Sequence, residues 1–119
     1  VNAALTMSED DLLGTVLDMA STLGIRTAHF RAAQTTQGWR TPVQGDGKGW
    51  PDLVLVGAQV LYRELKSARG GPSKEQGMWL AALTRAGQDA GVWQPADLRS
   101  GRILAELRAI RTHTEAVRR

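Results

Sequence analysis

Asp52, Glu64 and Lys66 are the residues of this chain whose types and spacing could do chemistry. Asp52 opens the apolar run PDLVLVG, and Glu64 and Lys66 close the run that returns after Gly57 and Ala58. In a strand, side chains two apart share a face, so Glu64 and Lys66 point one way and Arg63 and Leu65 the other. A short turn at Gly57 and Ala58 makes the two runs an antiparallel hairpin, which sets the start of the first beside the end of the second. Asp52 then approaches Glu64 and Lys66, within a register shift of a residue or two. Two carboxylates held together repel unless a cation lies between them, and hard oxygen donors suit Mg²⁺ or Mn²⁺. The amine beside them could orient a water, take part in proton transfer or stabilise negative charge growing on a phosphate. The same three residues would also serve as a turn cap and an ordinary ion pair. Charge pattern alone leaves both readings open.

The elements that must position these groups can be read from periodicity. Ser8 before Glu9, Asp10 and Asp11 marks a capped helix start, and Leu12, Leu13, Val16, Leu17, Ala20 and Leu23 recur at helical spacing up to a stop at Gly24. Ile25 to Arg31 reads as a strand, and about Ala32 to Gly49 as a polar loop, unusually long for a compact domain and therefore a candidate functional loop. The PDLVLVG run is typical of a central strand, with Pro51 at its first position. After its partner strand, Ser73 can cap a helix with Gln76 as the return half of a capping box and with Trp79, Leu80, Leu83 and Ala86 on one face. Gly91 to Gln94 is a short strand closed by Pro95. Asp97 is the expected cap of a last helix carrying Leu98, Ile103, Leu104, Leu107 and Ile110. The helix between the third and fourth strands is a natural right-handed crossover, pairing those strands in parallel. The order predicts an α/β fold: an αβββαβ core with a small mixed sheet flanked by helices, plus a C-terminal helix.

A chain of 119 residues, 42% of them hydrophobic, can bury one modest core, so a single domain over 1–119 is expected, with its core at about 8–110 and a flexible tail from about 111. It has no cysteine, which excludes disulfides and thiolate metal or redox sites and leaves carboxylate, imidazole, carbonyl or water as metal donors. Neither a secretory signal nor an apolar run long enough to span a bilayer is visible, so a cytoplasmic protein without a membrane partner is expected. The net charge of +3 is a mild bias toward polyanions, and its distribution is more telling. The first helix is acidic, and Arg26, Arg31, Arg40, Lys48, Arg63, Lys66, Arg69, Lys74 and Arg85 follow later, where a shared face would bind phosphate.

GKGWPDLVLVG, then ELKSARGGPSKEQGMWLAAL, then AGVWQP, taken together and in order, resemble the VRR-NUC branch of the PD-(D/E)XK nuclease superfamily over most of the chain. The resemblance implies that Asp52 and Glu64 bind a divalent metal, that the backbone carbonyl of Leu65 adds a ligand, and that Lys66 serves the nucleophilic water. It implies an acidic residue on the first helix facing the site, with Glu9 the best match and Asp10 and Asp11 as competitors. Gln76 would lie beside the metal centre, and His29 would contact DNA or support the site. Around this centre, Arg40 and Lys48 could grip phosphate from the loop, Arg69, Ser73 and Lys74 could do so from the other side, and Trp50 could stack on a splayed base. His113 lies in the tail with no assigned role. The implied activity is Mg²⁺- or Mn²⁺-dependent hydrolysis of DNA without a small-molecule cofactor. Small stand-alone members resemble bacteriophage Holliday-junction resolvases, which implies branched DNA, a homodimer and a bacterial or phage-infected host cell. Flap, single-strand or restriction-type cutting with the same centre, and DNA binding without turnover, are the alternatives. Arg63 departs from the family pattern, which is often apolar there.

Overall fold

The computed structural model describes residues 7–31, 33–36, 38–40 and 43–112, and for 33–35, 39 and 40 the backbone path alone. Helix α1 spans Glu9–Thr22 and starts as its sequence dictates: the Ser8 hydroxyl accepts the Asp11 N–H at 3.0 Å, and three acidic residues occupy the first turn. Leu12, Leu13, Val16 and Ala20 are its buried stripe. Gly24, at φ +73°, turns the chain into strand β1, Arg26–His29, shorter than the expected Ile25 to Arg31.

The stretch read as a structureless loop is not one. It contains a small antiparallel hairpin, β2 (Ala33–Thr35) and β3 (Gly38–Arg40), separate from the main sheet. Three-residue polar strands are too short for alternation to register in the sequence. The Arg40 side chain and the tail from 113 onward, His113 included, lie outside what is described.

The main sheet has the order β1-β4-β5-β6, with β4 at Leu53–Val56, β5 at Val60–Leu65 and β6 at Asp89–Trp93. Strands β1, β4 and β5 are antiparallel neighbours, as the turn at Gly57 and Ala58 requires, and Leu53 faces Arg63 across the hairpin. Helix α2, Lys74–Arg85, crosses over to bring β6 parallel to β5. The C-terminal helix proves to be two, α3 (Pro95–Arg99) and α4 (Arg102–Ile110), broken at Gly101 with φ +86°. Asp97 therefore does not cap the last helix. It is the third residue of α3, where its carboxylate accepts the Gln94 N–H at 2.8 Å.

Leu53, Leu55, Leu61 and Leu65 form one core with the stripe of α1 and with Ile103, Leu107 and Ile110 of α4. Helix α2 packs more loosely. Trp79, Leu80 and Leu83 are half-buried, no residue of the helix is fully buried, and Ala86, expected on the apolar face, is exposed. Among the described residues no helix is long and apolar enough to cross a membrane.

Candidate active site

The topology gathers one end of each element. Because β1 and β4 are antiparallel, β4 and β5 antiparallel, and β5 and β6 parallel, the end of β1, the start of β4 and the ends of β5 and β6 meet at one edge of the sheet. The first turns of α1 and α2 lie at this edge too: Glu9 lines a hollow that Asp52 also lines, and Gln76 bonds Glu64. Asp52 stands one residue before β4, next to the paired Leu53 and Arg63, and its Oδ2 accepts the Leu65 N–H at 3.0 Å. That bond ties the carboxylate of one strand to the backbone of the next and fixes where it points.

Glu64 is only 1% exposed. Its Oε2 accepts the Gln76 side-chain N–H at 2.8 Å and lies 3.4 Å from the Lys66 ammonium. Its other oxygen, Oε1, is buried and accepts no hydrogen bond among the described residues, with the Asp52 carboxylate adjacent to the group. Burial raises the Glu64 carboxyl to about 8, the adjacent Asp52 adds to the push, and Lys66 offsets part of it. A carboxylate in such a place is costly unless positive charge reaches it.

Gln76 caps its helix and reaches Glu64 at the same time. The amide oxygen accepts the Ser73 N–H at 2.8 Å, completing a capping box in which the Ser73 hydroxyl accepts the Gln76 N–H at 3.2 Å, while the amide N–H₂ reaches Glu64. The helix cap thereby aims the donor at the acid.

A hollow of about 320 Å³ opens beside Asp52 and Leu65, walled by Glu9, Asp10, His29 and Arg31. Glu9 and Asp10 both line it; Asp11 does not. Phe30 and Leu13, which did not stand out in the sequence as site residues, complete the wall, and Arg31 is one of the basic residues expected on a phosphate-binding face. Phe30 directly follows His29, whereas Leu13 was legible only as an apolar position of the first helix. Among the described residues no three acidic or imidazole side chains converge as a metal cluster. Two carboxylates do adjoin, and a buried Glu64 oxygen that accepts no hydrogen bond beside a second carboxylate fits a hard divalent cation with retained waters.

The outer groups divide. Arg69 and Lys74 are exposed, and Lys48 is exposed with its ammonium 3.9 Å from Glu75. Ser73 is occupied by capping and has only its hydroxyl proton left to offer. Trp50 sits in an aromatic group, edge-to-face with Phe30, Tyr62 and Trp79 at 5.0 to 6.0 Å. Gln94, also unforeseen, donates to the carbonyls of Ser67 at 3.1 Å and Gly70 at 2.9 Å, pinning the segment that carries Arg69.

The departure at Arg63 has a structural reason. On the face opposite Glu64, its guanidinium is buried and bonds Asp89 at 2.8 Å and Glu106 at 2.9 Å, and it lies 5.1 Å from the Trp93 ring.

Comparison with known proteins finds no matching family model and no matching curated protein. A solved structure described as "VRR_NUC domain protein" is similar, with a TM-score of 0.52 and 20% identity over 74% of this chain and 78% of that one. The four-stranded mixed sheet flanked by helices is thus the fold seen in a VRR-NUC domain.

Proposed function

We propose that this chain is a VRR-NUC nuclease that hydrolyses DNA phosphodiester bonds with Mg²⁺ or Mn²⁺. The observation that carries the reading is Glu64: a buried carboxyl with one oxygen that accepts no hydrogen bond among the described residues, beside Asp52 and 3.4 Å from an amine, on this fold. Such an arrangement costs stability and is hard to explain as packing.

Asp52, Glu64 and the Leu65 carbonyl are the groups that would hold the cation. When bound, the cation offsets phosphate charge and makes water a better nucleophile at neutral pH. The remaining work falls to the chain's own atoms. The Leu65 N–H and the Gln76 amide fix one oxygen of each carboxylate, leaving the others for the cation. The Lys66 side chain is 17% exposed, so its ammonium can reach a phosphate oxygen or the attacking water while staying near Glu64. There it stabilises charge that grows as the phosphorus is attacked. Glu9, Asp10, His29 and Arg31 border the space where the strand would enter, and Arg31, Arg69, Lys74, Lys48 and Arg40 would be its phosphate contacts.

The finer reading is structure-selective cutting of branched DNA by a homodimer, in the manner of a Holliday-junction resolvase, in the cytoplasm of a bacterial or phage-infected cell. It follows from the resemblance of the motifs to resolvase-like members of that family, and a second copy would supply both further binding surface and a symmetric second cut. Cleavage of a four-way junction, a matched flap and a plain duplex tests it, with wild type and the variants Asp52→Ala and Lys66→Ala. Paired symmetric nicks by the wild type alone are expected. Cutting of flap and duplex without symmetric nicking would remove the resolvase reading, and equal cutting by Asp52→Ala would remove the nuclease centre.

A further inference from the structure

A second cavity, of about 390 Å³, adjoins the hollow at Asp52 and has no part in the chemistry above. Phe30, Val43, Gln44, Asp46, Trp50 and Trp79 line it. Phe30 lines both cavities, so they are neighbours that share one residue. The other aromatic walls are tied to the site by the chain itself: Trp50 precedes Pro51 and Asp52, and Trp79 follows Gln76 by three residues on the same helix.

The lining is aromatic with few polar groups, and those polar groups are specific. Trp79 Nε1 donates to the Asp46 carbonyl at 3.0 Å, whereas Trp50 Nε1 is buried with no acceptor. A buried donor without a partner calls for one from outside. The wall is also held in shape. A Cβ on Gly47 would run into Val43, and one on Gly49, at φ +88°, would come within 2.5 Å of the Glu75 backbone, so the 43–50 segment lies tight on itself and on α2.

We propose that this cavity holds an unstacked nucleobase of the strand whose phosphate lies at Asp52, Glu64 and Lys66. The inference rests on the nuclease reading and deepens it: the substrate presents an unstacked nucleotide beside the cut, which a branch point offers and a continuous duplex does not. A base covalently attached to a phosphate at the first cavity is the group that reaches the second. Aromatic walls bind the π-face of any base, so the position is recognised and the identity of the base is tolerated. A fully paired duplex keeps its bases stacked and cannot fill the cavity without unstacking.

The test is binding by Lys66→Ala, which removes cutting on the nuclease reading, to a fluorescein-labelled duplex with a single-stranded flap, followed by anisotropy. An abasic nucleotide is moved through the positions around the junction, which fixes the register. One position should weaken binding by about tenfold when its base is removed, within the range known for base–aromatic stacking. That sensitivity should vanish in the further variant Gln44→Trp, which fills the cavity from an exposed position, and in Trp79→Leu, with thermal melting showing that both fold. No sensitive position, or a sensitivity that survives Gln44→Trp, would overturn the proposal. The two readings fail separately. A wild type that cuts but ignores base removal ends the base site and keeps the nuclease, and one that shows the sensitivity without ever cutting does the reverse.

Discussion

Glu64 concentrates the tension in this molecule. Its folded pKa, pushed to about 8 by burial and by Asp52 against the pull of Lys66, lies above the ordinary 4.5, so the folded state holds its proton more tightly than the unfolded chain does. The stability this contributes is complete below about 4.5 and is lost as pH rises through about 8. Cation-free protein should therefore melt at progressively lower temperature between these values, and Glu64→Gln should flatten that dependence. A wild type and Glu64→Gln with parallel melting profiles across this range would show that the carboxyl is not perturbed. Gln76 is the companion case. Gln76→Ala should cost roughly 1 kcal/mol through the lost cap and should also depress cutting, because Glu64 loses the donor that orients it. Unchanged cutting with lowered stability would reduce Gln76 to a capping residue.

At the scale of elements, the site depends on how strand ends and helix starts are brought together. Most of this was legible because it follows from period and turn chemistry. The alternation of Glu64 and Lys66, the turn at Gly57 and Ala58 and the Ser73–Gln76 box each have a local cause, and each appears as expected. What was illegible has a physical reason as well. The β2–β3 hairpin is too short and polar to show a period, Gly101 breaks α3 from α4 through a backbone angle that periodicity does not encode, and the Arg63 network joins residues more than 25 positions apart. The hollow could be placed beside Asp52, but its Phe30 and Arg31 walls depend on where β1 ends. Gly49 shows how tightly the elements dock, since its positive φ and its contact with Glu75 and Gln76 leave no room for a side chain. Gly49→Ala should cost about 1 to 3 kcal/mol by overpacking and lower cutting as well, because α2 carries Gln76. Thermal melting and a cleavage rate on the same preparation check both; an Ala variant as stable and as active as wild type would mean that the loop and helix are free to separate.

For the whole molecule, the sheet separates two duties. One edge carries Asp52, Glu64 and Lys66, while the opposite face of β5 locks β6 and α4 through Arg63, Asp89 and Glu106, with Trp93 donating to Glu106 at 2.8 Å and Arg102 at 2.7 Å. Burial would raise the Glu106 carboxyl, but the bonds from Arg102, Trp93 and Arg63 outweigh it and hold it below its ordinary value. Glu106→Ala leaves the Arg63 guanidinium buried and half-paired and should cost about 3 kcal/mol, with cutting retained well below the melting temperature. Loss of cutting in a fully folded Glu106→Ala would mean that the two faces are coupled. The most direct measurement of the centre itself is a Mn²⁺ titration followed by electron paramagnetic resonance on wild type, Asp52→Ala and Lys66→Ala. Wild type and Lys66→Ala should bind the ion, the latter at least as tightly because a competing positive charge is gone, while Asp52→Ala should lose it. Binding by Asp52→Ala as tight as wild type would refute a cation site between these carboxylates.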